Sequence, residues 1–217
     1  MAHSGEGSRM LSFKTLMVLS APIILVGCAA MNEQECLVTD WRSVGFEDGV
    51  AGRPVNSIAN YRQACSRHGV TPDLDKYRAG HSEGAEVYCR PGRGFDVGRR
   101  GAVYHGVCPA DLESEFLVAY ADGRHLYELE SALRAVNNEI ASNKQSLKHL
   151  RQDMVATAAA IIADGTPAEE RVRLLAETVE LARREGELGE EIVELEREQA
   201  IREQELLSYQ ETLAFGA

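Results

Sequence analysis

The densest set of groups able to do chemistry lies between Cys89 and Cys108, where Arg90, Arg93, Arg99 and Arg100 are spread among glycines with Phe95 and Tyr104 between them. Guanidinium groups hold carboxylates and phosphates through paired N–H donors, and aromatic rings stack on sugar faces and other flat groups. We therefore expect a flexible loop from Arg90 to Val107 in which Arg93, Phe95, Arg99, Arg100 and Tyr104 form a surface for an anionic ligand. The plainer expectation is that these arginines pair with Glu47, Asp48, Glu83 and Glu86 or stay solvated. The glycines here follow no strand-to-helix phosphate loop, and no Gly-Lys-Ser or Gly-Lys-Thr occurs, so no nucleotide site is expected.

Catalysis would need a nucleophile or acid with a positioned partner, and the candidates are Asp48 beside Glu47, His81 before Glu83, and His105 before Cys108. None forms a recognisable set. Adjacent carboxylates on a helix diverge around its axis, and an oxidised Cys108 cannot attack. His68, His125 and His149 are scattered, with no metal-ligand spacing. The expectation is no enzyme, no metal and no cofactor.

Cys36, Cys65, Cys89 and Cys108 form an even set without a C-x-x-C pair, which reads as two disulfides in an oxidising compartment and against a zinc site. Three connectivities are possible. The elements that must carry these cysteines favour one of them. Trp41, Gly45, Gly49 and Gly52 fall on one helical face, as do Tyr77, Gly80, Gly84 and Tyr88, so close packing of short helices is expected over Asp40 to Gly52, Ser57 to Gly69 and Asp73 to Tyr88. Asp40, Ser57 and Asp73 would be their N-caps. If the first two fold back on each other, Cys36 meets Cys65. Cys89 then lies about 24 Å further on, which leaves it to Cys108.

After this region the composition changes. Aromatic residues are 6% of the chain and crowd the cysteine-bearing part, whereas none occurs from Glu128 to Ser208. From Leu129 the series Leu133, Val136, Ile140, Asn143, Leu147, Leu150, Met154, Thr157 and Ile161 advances by threes and fours, the spacing of a coiled-coil seam. Gly165 and Thr166-Pro167-Ala168-Glu169 mark a helix end and a new start. Leu174, Leu181, Leu188 and Leu195 then recur every heptad. The expectation is an antiparallel coiled-coil hairpin with arms of roughly 70 Å. Asn143 interrupts its seam, and Gly186 with Gly189 should mark a close crossing or bend at the facing height. Glutamate-rich sequence from Glu169 to Glu211 supplies most of the net charge of −11, which argues against nucleic acid as a partner.

At the N-terminus, Arg9 and Lys14 precede a short apolar run that ends in Leu25-Val26-Gly27-Cys28, the order of a bacterial lipoprotein signal with its lipid-accepting cysteine. Acyl chains on Cys28 would hold the protein to a membrane, each buried methylene contributing about 0.8 kcal/mol. Ala29 is not the aspartate associated with inner-membrane retention, so the expected location is the outer membrane facing the periplasm. The organisation read from these features is all-α: residues 1–27 a signal peptide, 28–35 a tether, 36–123 a disulfide-stapled glycine-rich head, and 124–217 the hairpin.

Asp40-Trp41-x-x-x-Gly45-x-x-Asp48-Gly49-x-x-Gly52, Cys65, Tyr77-x-x-Gly80-x-x-x-Gly84-x-x-x-Tyr88-Cys89, Gly98-x-x-Gly101-x-x-Tyr104-x-Gly106-x-Cys108-Pro109 and Tyr120-x-x-Gly123 together resemble a family of bacterial lipoproteins known only as domain of unknown function 2799. The resemblance covers the head, implies a lipoprotein module held by glycine and cysteine, and transfers no catalytic residue. The expected function is a structural or adaptor role in which the coiled coil binds another envelope protein. The alternative is a peptidoglycan-binding module that uses the arginine and glycine loop on stem-peptide carboxylates.

Overall fold

The structure is a computed structural model that describes residues 31–215. The expected lipidation box, with Cys28, lies outside the described residues. Every regular element among them is helical: α1 (Glu33–Val38), α2 (Trp41–Val50), a 3-10 turn (Val55–Ser57), α3 (Ile58–Ser66), α4 (Leu74–Tyr88), α5 (Pro91–Arg99), α6 (Ala110–Ile162) and α7 (Ala168–Phe215). None of these helices is long and apolar enough to cross a membrane. Side chains cap the first turns, whose N–H groups have no partner inside the helix. Asn32 and Glu35 form a reciprocal capping box on α1, Asp40 accepts from the Arg42 N–H, and Asp73 accepts from the Lys76 N–H. Ser57 makes no such bond, contrary to expectation, because the 3-10 turn after Pro54 already leads the chain into α3.

The disulfides join Cys36 to Cys65 and Cys89 to Cys108, with Cα atoms 5.6 Å and 5.5 Å apart. This is the expected pairing, reached through a different packing: α2 lies mainly against α4 rather than against α3. One apolar core gathers Trp41, Ile58, Tyr77 and the first disulfide. A second gathers Tyr88, Val97, Phe116 and Cys89.

The two cores are versions of one unit. Gly45-Phe46-Glu47-Asp48-Gly49-Val50-Ala51-Gly52 and Gly94-Phe95-Asp96-Val97-Gly98-Arg99-Arg100-Gly101 share the pattern Gly-Phe-acid-x-Gly-x-x-Gly. Each is a helix that crosses a second helix at backbone contact, α2 over α4 and α5 over the start of α6. A Cβ on Gly49 would fall well under 3.0 Å from the His81 carbonyl, and one on Gly98 would meet the Tyr120 carbonyl in the same way. From the other side, Gly84 faces the Phe46 carbonyl and Gly123 the Phe95 carbonyl. Both helices close on a left-handed glycine, Gly52 at φ 71° and Gly101 at φ 69°, each under the ring of a tyrosine, Tyr88 or Tyr127. The turns also match, Arg53 N–H bonding the Asp48 carbonyl at 2.9 Å and Ala102 N–H the Val97 carbonyl at 3.1 Å.

The second unit corrects one expectation. Half of the segment from Arg90 to Val107 is the helix α5 and not loop. Pro91 sits in the first turn, where its missing N–H costs nothing, and Gly94 and Gly98 are turned toward α6, so their bare Cα atoms serve close packing.

Helix α6 runs unbroken for 53 residues, from the second core to Ile162. Thr166 then donates to the Ala160 carbonyl at 2.9 Å and Gly165 takes a φ of 86°, which closes α6 and starts α7. Along the pair, partners fall in number on α7 as they rise on α6: Asp122 with Tyr209, Lys144 with Glu196, Arg151 with Glu185. Val136, Ile140, Leu150 and Thr157 of α6 and Leu174, Leu181 and Ile192 of α7 are buried between them. Asn143 leaves its Nδ2 buried without a hydrogen-bond partner.

Gly186 and Gly189 do not mark a close crossing. A Cβ on either would meet nothing within 4 Å, so no neighbouring helix is packed against them. With no packing reason to keep them bare, Gly186→Ala and Gly189→Ala should each stabilise the helix by about 1 kcal/mol. Thermal melts of the two variants check this, and a loss of stability in either would show an inward contact.

Candidate functional site

The predicted anion-binding set is divided by the fold. Arg93 on α5 and Arg100 just after it are exposed on the side toward Tyr88, with the Arg93 guanidinium 6.0 Å from that ring. Arg99 points the other way and reaches Glu130 at 3.7 Å. Phe95 is half-buried and lines a separate cavity of about 650 Å³ beside Tyr209 and Leu213 at the end of α7. Tyr104 has no free polar edge: its hydroxyl accepts from the Cys108 N–H at 3.0 Å and donates to Glu113 at 2.9 Å, while its ring lies 4.9 Å from Phe116. It braces the second disulfide. The arginines do not pair with Glu47, Asp48, Glu83 or Glu86; Arg42 takes Glu83 and Arg53 takes Asp48.

The first unit holds a polar core that the second lacks. Asp48, 2% exposed, accepts from the Tyr77 hydroxyl at 2.7 Å, the Tyr61 hydroxyl at 3.1 Å and the Arg53 guanidinium at 2.9 Å. Burial, reinforced by the carboxylate, pushes the Tyr77 phenol well above the usual tyrosine range, so it stays a donor. Both oxygens of Asp48 are occupied and sealed from solvent, which suits a structural acceptor and not a general acid. At the equivalent places of the second unit stand Val97 and Phe116.

Beside this core is a cavity of about 600 Å³ between the two units. Arg78, His81 and Ser82 of α4 line it at helical spacing, with Asn56 from the 3-10 turn and His105 from the loop after α5. His81 is 6% exposed and its Nε2 lies 2.7 Å from the Arg53 carbonyl. A carbonyl only accepts, so Nε2 is the donor, and whenever the ring is neutral Nδ1 carries the lone pair. No nucleophile or carboxylate is within hydrogen-bond contact of that ring among the described residues, and no group of three or more His, Cys, Asp or Glu there could hold a metal ion.

His81 and His105 were separable candidates in the sequence and are brought to one cavity by the fold. The roles of Tyr61, Tyr77 and Arg53 around Asp48 went unread. The signal that would have exposed them is the repeated Gly-Phe-acid-x-Gly-x-x-Gly pattern, because aligning the two copies shows which residues the crossing needs and which are additions.

Residues 40–125 match the model of a family described as a protein of unknown function (DUF2799). No curated protein and no solved structure matches the chain.

Proposed function

From a chain whose residues 40–125 match the DUF2799 family model, we propose a non-enzymatic envelope lipoprotein that joins a membrane-held head to another envelope protein. In this reading, acyl chains on Cys28 fix the protein to the outer membrane, facing the periplasm. Only seven residues lie between Cys28 and Cys36, so the disulfide-stapled, glycine-rich head stays near the lipid surface. Helices α6 and α7 act as an antiparallel coiled-coil hairpin, and the 48 residues of α7 give it a reach of roughly 70 Å.

The observation that carries the reading is a second stripe on α7. Val172, Leu175, Val179, Ala182, Gly186, Gly189 and Val193 follow each other by threes and fours, as a seam does, but Leu175, Ala182 and Val193 are displaced by one residue from the buried Leu174, Leu181 and Ile192. Val172, Leu175 and Val179 are 67%, 54% and 72% exposed. An apolar helical stripe left in water fits a partner helix. Glu187, Glu190 and Glu194 flank it, so the partner should bring basic side chains around an apolar face.

The test is Val179→Glu with Val193→Glu. Co-purification of the envelope partner should be lost while the thermal melt stays unchanged, because both side chains are exposed. Retention of the partner would refute the stripe. The cell-wall alternative has less to support it, since Arg93, Phe95, Arg99, Arg100 and Tyr104 do not share one face.

A further inference from the structure

The two units of the fold differ in a way that packing does not require. His81 donates from Nε2 to the Arg53 carbonyl, and at the same place in the second unit the Tyr120 hydroxyl donates to the Ala102 carbonyl at 3.0 Å. A tyrosine therefore performs the structural task of His81. What histidine adds is Nδ1, left without a protein partner on a side chain that lines the cavity. The neighbours follow the same rule: Arg78 corresponds to Leu117 and Ser82 to Ala121. Three polar side chains line the cavity at places where the sister unit has an alkyl chain, a phenol and a methyl group.

Charge selects the ligand. In a chain with 34 acidic and 23 basic residues, this cavity is lined by Arg78, His81 and His105 and by no carboxylate. Arg78 forms no ion pair among the described residues, so its guanidinium is available for an oxyanion. In the neutral ring Nδ1 of His81 accepts a hydrogen bond, and the Asn56 amide can both donate and accept. A carboxylate next to an N–H is the chemistry of a peptide C-terminus.

We propose that the cavity between the two units binds the C-terminal residue of a peptide, with Arg78 on the carboxylate and Nδ1 of His81 accepting from the last amide N–H. This site is independent of the α7 stripe. It also differs from the arginine set of α5, which does not line the cavity.

The experiment is an NMR titration of the purified full chain, read on the His81 ring signals, with N-acetyl-alanyl-alanine and with the same dipeptide as its C-terminal amide. The free acid should give a saturable shift, and the amide should bind at least about tenfold more weakly. Arg78→Leu, read on the His81 ring, and His81→Tyr, read on the ring of His105 in the same cavity, restore the residues found in the sister unit and should each remove the response to the acid while the melt is retained. No response to the acid, an equal response to acid and amide, or a response that survives both substitutions would overturn the proposal. The comparison of acid with amide uses the unaltered chain, so it decides the matter even if a variant fails to fold.

Discussion

Gly49→Ala should destabilise the first helix crossing by about 3 kcal/mol or more, and Gly98→Ala should do the same to the second. Alanine is ordinarily the better helix former by about 1 kcal/mol, so local propensity predicts the opposite sign. Packing wins because the added methyl would lie well under 3.0 Å from a backbone carbonyl, that of His81 or Tyr120, and a carbonyl inside a helix cannot swing aside. The helices must separate, which opens the contacts of Tyr77 or Phe116, both fully buried. Urea denaturation of the two variants measures the loss. A change smaller than about 1 kcal/mol in both would mean that the crossings are looser than described.

The second large effect concerns Asp48. Asp48→Val alone should cost about 3 kcal/mol, because it strands the Tyr77 hydroxyl in a site with 0% exposure. Arg53 and Tyr61 lose less, since the Arg53 side chain is 60% exposed and the Tyr61 ring is only half-buried, so water replaces the carboxylate. Adding Tyr77→Phe removes the stranded donor and recreates the Val97 and Phe116 pair of the second unit. The double variant should recover most of the loss. This cycle measures the coupling of the two side chains directly, and additive costs would show that the hydroxyl and the carboxylate are not partners.

Much of this fold was legible because its signals are local or periodic. Asp40 and Asp73 announce helix starts within three residues of themselves, and the apolar residues of α6 and α7 recur at helical spacing over many turns. The cysteine pairing matches although the helix pairing assumed for it does not, since α2 lies against α4 and not against α3. Glycine was the point of failure. Gly45 and Gly49 were read as a packing face because Trp41 continues their stripe, whereas Gly94 and Gly98 were read as flexibility because arginines surround them. The same residue serves both uses, and the choice is made by Phe116 and Tyr120, some twenty residues away. Gly186 and Gly189 failed in the other direction, being taken for a crossing where α7 faces only solvent. The Asp48 core was invisible for a related reason, since Tyr77 is 29 residues from Asp48 and meets it only through the crossing of α2 with α4.

The polar additions to the first unit also clarify what the unit is for. Val97 and Phe116 demonstrate that the crossing folds without a buried charge, and a buried carboxylate contributes little net stability even when fully bonded. Asp48 holds Arg53 and Tyr77, Arg53 presents its carbonyl to His81, and His81 lines the cavity. The network thus fixes the orientation of one ring in one cavity.

The most direct measurement of the proposed role is photo-crosslinking in cells from Val179, on the exposed stripe of α7, compared with Arg184, which is exposed on the opposite side of the same helix. The account predicts one discrete envelope-protein adduct from Val179, absent from Arg184 and abolished by Val193→Glu. The same yield of adducts from both positions, or none from Val179, would contradict it.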